Sequence, residues 1–111
     1  HVLLEFLENG KISFTYITEE DMQKANAETG DHEGIVTIGR NIEGVEVSVF
    51  ARQIDEGWRL SLRSNDYVNV SDVCIMFGGG GHPKAAGATL TGSIDEVKDK
   101  ILAQIKRYIR N

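Results

Sequence analysis

The chain has 111 residues, of which 41% are hydrophobic and 26% charged, and its formal net charge is −5. This length supports one small core, the composition excludes wholesale disorder, and no apolar run approaches the ~18 residues of a membrane span. A single cysteine excludes a disulfide framework or a site of several thiolates, and it favours a reducing compartment such as the cytoplasm. The unusual count is glycine, with 12 in the chain and four in succession from Gly78 to Gly81.

Charge is distributed unevenly between the two halves of the chain. Residues 1–57 carry a net charge of −8, and residues 58–111 carry +3. The overall acidity argues against a long nucleic-acid duplex as the partner, because such binding neutralises many phosphates. The mildly basic second half is compatible with a small anion.

The first half of the chain predicts one strand and two helices. The chain begins at His1 without an initiator methionine and continues at once into an apolar run, which predicts a fragment of a longer protein. Residues 2–7 read as helix or strand, and residues 12–16 alternate apolar and polar side chains as a strand does. Thr18 predicts the N-cap of a helix that reaches about Ala27. Residues 33–42 predict a second helix, with an edge strand as the alternative.

The second half gives firmer patterns. Alternation over 45–52 and 58–63, with turn residues between them, predicts an antiparallel hairpin. Apolar residues at helical spacing over 70–77 predict a short helix that ends at Gly78. Residues 86–91 suit another strand, and Ser93 with Glu96 predicts a capping box for an amphipathic terminal helix. The expected fold is α+β, a mixed or antiparallel sheet of about four strands with helices packed on it.

The glycine run has the composition of an anion-binding loop. Successive glycines allow their N–H groups to converge in a nest around phosphate oxygens. His82 adds a donor or proton shuttle and Lys84 a positive charge, while Ala86 and Gly87 are too small to obstruct a ligand. The alternative is a glycine helix cap followed by a flexible linker, with His82 an exposed bystander. The run matches neither the Walker A loop nor the dinucleotide-binding glycine pattern.

Four segments together resemble one known domain. They are LSLRS at 60–64, VSDV at 70–73, FGGGGH at 77–82 and AAG at 85–87. In this order they resemble the DHHA1 domain, the C-terminal substrate-binding domain of DHH-family phosphoesterases. The most similar branch is that of oligoribonucleases, 3′-phosphoadenosine phosphate phosphatases and cyclic-di-AMP phosphodiesterases. The resemblance covers nearly the whole chain, although residues 1–40 match only in outline.

The resemblance implies that this chain is the substrate-binding part of a two-domain enzyme. Its partner would be an N-terminal DHH domain of the same protein, which holds two manganese ions and hydrolyses phosphoesters. The family's arginine falls on Arg63 beside Ser64, where it would grip substrate phosphate. Its glycine-histidine motif falls on Gly79, Gly80, Gly81 and His82, and His82 would help to position the scissile bond.

The expected substrate is a short single-stranded RNA or a small nucleotide, and the chain alone is expected to be inactive. The expected substrate-binding residues are Arg63, Ser64, Gly79, Gly80, Gly81, His82, Lys84, Ala86 and Gly87. The alternative is a non-catalytic nucleotide- or RNA-binding module in a parent without hydrolase activity. A structural or dimerising domain with a vestigial loop is a third reading, and the sequence leaves a homodimer open.

Several other residues could bind a metal, act as a nucleophile or stack on a base, and most of them are assigned structural roles. The segment 31–33 (DHE) imitates a metal motif but reads as a turn and helix start, so no metal site is expected in this chain. Cys74 lies in the apolar stripe of a helix and is interpreted as a packed hydrophobe. Trp58 is assigned to the core, and Tyr67 stays open between core packing and base stacking.

Overall fold

The computed structural model describes residues 3–7, 10–21, 23 and 44–110. Its strands and helices, in chain order within each class, are β1 Leu3–Leu7, β2 Ile12–Ile17, β3 Val47–Ile54, β4 Gly57–Ser64, β5 Gly80–His82, β6 Ala85–Leu90, α1 Val70–Ile75 and α2 Ile94–Lys106.

The strands form one sheet in the order β1-β2-β3-β4-β6-β5. Only β2 and β3 run parallel among these neighbours, and every other adjacent pair is antiparallel. The predicted α+β class is confirmed, but the sheet has six strands instead of about four. The additional strands are β1, whose short apolar run did not distinguish helix from strand, and β5, which is built from residues with poor strand propensity.

The predicted hairpin is confirmed as β3 and β4. Val49 lies opposite Leu62, and the ladder runs to Ile54 opposite Gly57, so Asp55 and Glu56 form a two-residue turn. Burial alternates along β4, which leaves one of its faces in the core and the other accessible.

The two helices in the second half of the chain begin at residues whose side chains cap them. Asn69 caps α1 by accepting a hydrogen bond from the Asp72 backbone N–H at 3.2 Å. The helix ends at Ile75 with Met76 as its C-cap, earlier than predicted, and Gly78, at φ +79°, takes the left-handed conformation that favours glycine in the turn that follows. At α2, Ser93 and Glu96 cap each other's backbone N–H groups at 3.2 Å, which confirms the capping box.

The core lies between α1, α2 and one face of the sheet. Trp58 is buried there and meets Tyr16 edge-on, with ring centroids 5.8 Å apart. The predictions of Trp58 and Cys74 as core residues are confirmed. On the opposite face, β2 and β3 are also buried, whereas Arg59 of β4 is exposed. We call the accessible side of β4, β6 and β5, opposite the helices, the open face.

The remaining predictions concern the first half of the chain. Thr18 caps a helical turn at 19–21, where its Oγ1 accepts from the Asp21 backbone N–H at 3.1 Å. The rest of that helix, the helix predicted over 33–42 and the 31–33 segment lie outside the described residues. Among the described residues, no helix is both long and apolar enough to cross a membrane.

Candidate functional site

Strand pairing places the two leading site residues in one row. Arg63 of β4 lies opposite Ala85 of β6, and Ala85 lies opposite His82 of β5. Directly paired residues share a face of a sheet, and neighbouring strands are ~4.8 Å apart. The Cα atoms of Arg63 and His82 are therefore ~10 Å apart on the open face, with only the Ala85 methyl between them.

Arg63 is a half-buried cation without a carboxylate partner among the described residues. Its Nη1 donates to the Leu62 carbonyl at 3.1 Å, which leaves most of the donors of the guanidinium fork available. Its other neighbour in the ladder is Ser48, whose buried hydroxyl has no hydrogen-bond partner within the described part of the chain. The unused donors of this guanidinium can bind an anion at this corner of the open face.

The glycine run does not form the predicted nest. The N–H groups of Gly78 and Gly79 donate to the carbonyls of Ile75 and Cys74, at 3.1 and 3.0 Å, at the end of α1. The N–H of Gly81 donates to Ser71 Oγ at 3.2 Å. The run therefore has few donors left to converge on an anion, and residues 80–82 continue as an edge strand along β6.

Glycine is needed in this run for close approach. A Cβ at Gly79 would lie 2.1 Å from the Gly87 carbonyl oxygen, and one at Gly81 would lie 2.9 Å from the Ala85 carbonyl oxygen. The glycines thus let β5 lie against β6, which brings His82 into the row with Arg63.

His82 is exposed at the edge of the sheet, and its orientation is defined by one hydrogen bond. Its Nδ1 accepts from the Lys84 backbone N–H at 3.1 Å. An accepting Nδ1 assigns the proton of the neutral ring to Nε2. His82 can therefore offer an Nε2–H donor to a ligand on the open face.

The side chains of Ser64 and Lys84 stabilise this arrangement through hydrogen bonds to the backbone. The fully buried Ser64 hydroxyl donates to the Pro83 carbonyl at 3.3 Å, and the Ser64 N–H donates to the Lys84 carbonyl at 3.0 Å. Lys84 Nζ donates to the backbone carbonyls of Asn65 and Asp66. Both side chains therefore hold the 83–84 turn against the end of β4.

Ala86 and Gly87 occupy opposite faces of β6. Ala86 is 6% exposed and points into the core beside Leu62, so its side chain does not face a ligand on the open face. Gly87, opposite Ser61, lies on the open face, and Arg59 Nη2 is 2.7 Å from the position that a Cβ there would take.

Glu46 is a residue of the site's support that sequence reasoning missed. Its buried carboxylate accepts from the backbone N–H groups of Asp66, Tyr67 and Val68 at 3.1, 2.7 and 2.9 Å. This single oxygen orders the loop between Arg63 and α1. The available signal was an acidic residue between Val45 and Val47 of a buried strand, where a carboxylate needs partners.

Cys74 and Tyr67 are engaged elsewhere. Burial raises the pKa of the Cys74 thiol to about 11, which disfavours the nucleophilic thiolate. The hydroxyl of Tyr67 accepts from the Arg110 N–H at 2.9 Å, and the Arg110 guanidinium lies 4.2 Å from the centre of its ring. One ring face of Tyr67 is thus already covered.

The described residues offer no donor set for a metal ion, since no three His, Cys, Asp or Glu side chains in them lie together. The two manganese ions expected in a separate domain stay a prediction.

Comparison with known proteins identifies relatives across most of the chain. A family model described as the DHHA1 domain matches residues 9–111. The bifunctional oligoribonuclease and PAP phosphatase NrnA of Thermus thermophilus is 37% identical over 94 residues, which are 84% of this chain and 29% of that protein. NrnA of Bacillus subtilis is 32% identical over 99 residues, 89% of this chain and 30% of that protein.

A solved structure shows the same fold. An exopolyphosphatase-related protein from Bacteroides fragilis superimposes with a TM-score of 0.82 at 27% identity, covering 95% of this chain and 31% of that one. The chain thus spans about a third of the length of the relatives it matches.

Proposed function

The chain belongs to the DHHA1 domain family, and from this membership we propose that its open face binds the phosphate of a short RNA or small nucleotide for a DHH phosphoesterase domain of the same protein. The Thermus and Bacillus relatives are described as oligoribonuclease and PAP phosphatase, and both are about three times as long as the matched region. These names support nucleotide processing by the parent protein.

One observation carries the proposal: the row Arg63–Ala85–His82 on the open face. It joins an arginine without a carboxylate partner, among the described residues, to an imidazole whose accepting Nδ1 leaves Nε2–H as a donor. A guanidinium binds phosphate bidentately, and a neutral histidine adds a directed hydrogen bond. In this proposal Arg63 binds the phosphate, and His82 orients the ligand towards the reacting group.

The other predicted residues have lesser roles in the proposal. The backbone of Gly79–Gly81, along the edge of the sheet, would meet a sugar or base of the ligand without an intervening side chain. Gly87 leaves room on the open face for the guanidinium of Arg59. Ser64 and Lys84 act through the 83–84 turn, and Ala86 acts by packing β6 against the core. None of these three needs to touch the substrate.

The chemistry belongs to the other domain. When bound there, two manganese ions would activate water and neutralise charge on the scissile phosphate. The open face contributes position, because a substrate held at Arg63 and His82 is presented to whatever lies across it. We place this enzyme in the cytoplasm, a reducing compartment in which a lone thiol such as Cys74 stays reduced.

The proposal is tested by titrating the 111-residue chain with a 5′-phosphorylated diribonucleotide in a calorimeter. We expect Arg63→Gln to weaken binding about tenfold and His82→Ala about threefold, the loss expected of one charged or one neutral hydrogen-bond donor. Lys100→Gln removes the same charge from the exposed side of α2 and is the matched control. Equal affinities in all four proteins would overturn the proposal.

Activity distinguishes this proposal from a non-catalytic nucleotide-binding module. With manganese, the full-length parent should hydrolyse the diribonucleotide, whereas the 111-residue chain should not. A parent that binds the diribonucleotide but never cleaves it would support the module instead.

A further inference from the structure

Arg59 is a second arginine on the open face, and the proposed function does not use it. It lies four residues before Arg63 on β4, so both side chains project to the same side of the sheet. Its row in the ladder runs from Arg52 of β3 through Arg59 to Thr89 of β6.

The position of its guanidinium is defined by two contacts. Nη1 donates to Thr89 Oγ1 at 3.3 Å. Nη2 lies 2.7 Å from the position that a Cβ on Gly87 would take. The head therefore lies across Gly87, displaced from its own row towards Ser61 and Arg63. Gly87 lacks a side chain at the point where this arginine needs the space.

Arg59 has a positively charged neighbour in its own row. Arg52 lies directly opposite it across β3 and β4, and like charges in that position destabilise a sheet. Neither arginine has a carboxylate partner among the described residues, and Arg59 is exposed. A bound anion would offset this repulsion, and the guanidinium has donors left beyond the one that Thr89 accepts.

The separation of the two arginines indicates which anion. Four residues of a strand span ~13 Å, and the displacement of the Arg59 head towards Gly87 shortens the distance between the two guanidinium groups. A nucleoside with a phosphate on each side would place its two charges at these two groups, with its sugar over Ala85.

We propose that Arg59, oriented by Thr89 and Gly87, binds a second phosphate group one nucleoside away from the phosphate at Arg63. The inference rests on the proposed function. It adds a specificity-determining residue, by which the domain prefers a diribonucleotide with a terminal 5′-phosphate to the same diribonucleotide without one.

The test compares two probes that differ only in that phosphate, pApA and ApA, titrated into the 111-residue chain by calorimetry. We expect wild type to bind pApA about tenfold more tightly than ApA, as one further charge-assisted contact allows. In Arg59→Gln this ratio should fall below about twofold, while affinity for ApA changes little. Arg63→Gln should weaken both ligands, and the exposed α2 control Lys100→Gln should preserve the ratio.

The outcomes separate this inference from the function on which it rests. If wild type binds neither probe, the proposed function fails and the inference fails with it. If wild type binds both equally, or if Arg59→Gln preserves the tenfold ratio, the inference is overturned while the function stands. Circular dichroism checks folding, and Arg59→Leu, which keeps the packing of the arginine stem, replaces Arg59→Gln if that variant unfolds.

The salt dependence gives an independent reading. Added salt screens the attraction between an arginine and a phosphate, so binding that uses more such contacts weakens more as salt rises. Wild type should therefore show a steeper slope of log K against log salt for pApA than for ApA, and Arg59→Gln should show parallel slopes. Parallel slopes in wild type would contradict the inference.

Discussion

The two faces of β4 have opposite chemistry although they alternate along one strand. Trp58, Leu60 and Leu62 are buried under α1 and α2, whereas Arg59 is exposed and Arg63 half-buried on the open face. Apolar burial of the first set stabilises the fold, at ~25 cal/mol for each Å² removed from water. The second set contributes little to the core and is free to meet a ligand.

Stability and ligand binding thus depend on residues that are neighbours in the sequence of β4. The two properties can be changed separately, because alternate residues face opposite sides of the sheet. A substitution at Trp58, Leu60 or Leu62 should affect unfolding. One at Arg59 or Arg63 should affect affinity. The expected results below run from the largest effect to the smallest.

Truncation of a buried β4 side chain should have the largest effect. Leu62 is 0% exposed, so Leu62→Ala should lower the free energy of unfolding by about 3 kcal/mol through lost burial and a residual cavity. Urea denaturation followed by circular dichroism measures it. The adjacent open-face variant Ser61→Ala should stay within ~0.5 kcal/mol of wild type, and equal losses in the two would refute the division between faces.

Glu46 carries a carboxylate that is buried inside the fold. Glu46→Ala removes the acceptor of three backbone N–H groups and should lower the free energy of unfolding by about 2 to 3 kcal/mol. Glu46→Gln keeps a neutral acceptor and should lose about half as much. Binding should weaken in the alanine variant as well, because the loop after Arg63 loses its anchor; a stable Glu46→Ala protein would show that other contacts order that loop.

Cys74 should make the stability of the buried face depend on pH in the alkaline range. Because its pKa is raised to about 11 from an ordinary value of 9.0, the unfolded state loses the thiol proton at lower pH than the folded state. Stability is therefore complete below pH 9 and falls as pH rises to about 11, by roughly 2 kcal/mol. Thermal unfolding of wild type and Cys74→Ala under reducing conditions measures this, and identical pH profiles would contradict it.

Much of the fold was predictable because local patterns agreed with tertiary packing. Alternation, turn residues and caps identified the β3–β4 hairpin, the presence of α1 and the start of α2 at Ser93. The strand order was not predictable, since β6 lies between β4 and β5 through long-range pairing that leaves no local periodicity.

The candidate site was predicted in its residues more than in its geometry. Arg63 and His82 were identified by the family resemblance, and the register places them in one row. The predicted nest was wrong, because glycine composition shows what conformations are allowed but not which carbonyls accept the N–H groups. Arg59 was missed because the alternation along a strand shows which face a residue lies on, but not that the guanidinium of this arginine lies across Gly87.

The chain contains a single tryptophan, and its place next to Arg59 on the covered face has a practical use. The indole of Trp58 is shielded from solvent and lies edge-on to Tyr16. Its fluorescence should therefore shift to longer wavelength on denaturation. A ligand on the far side of β4 would leave the emission nearly unchanged. The fluorescence of Trp58 therefore measures unfolding of the protein without interference from a ligand bound at the open face.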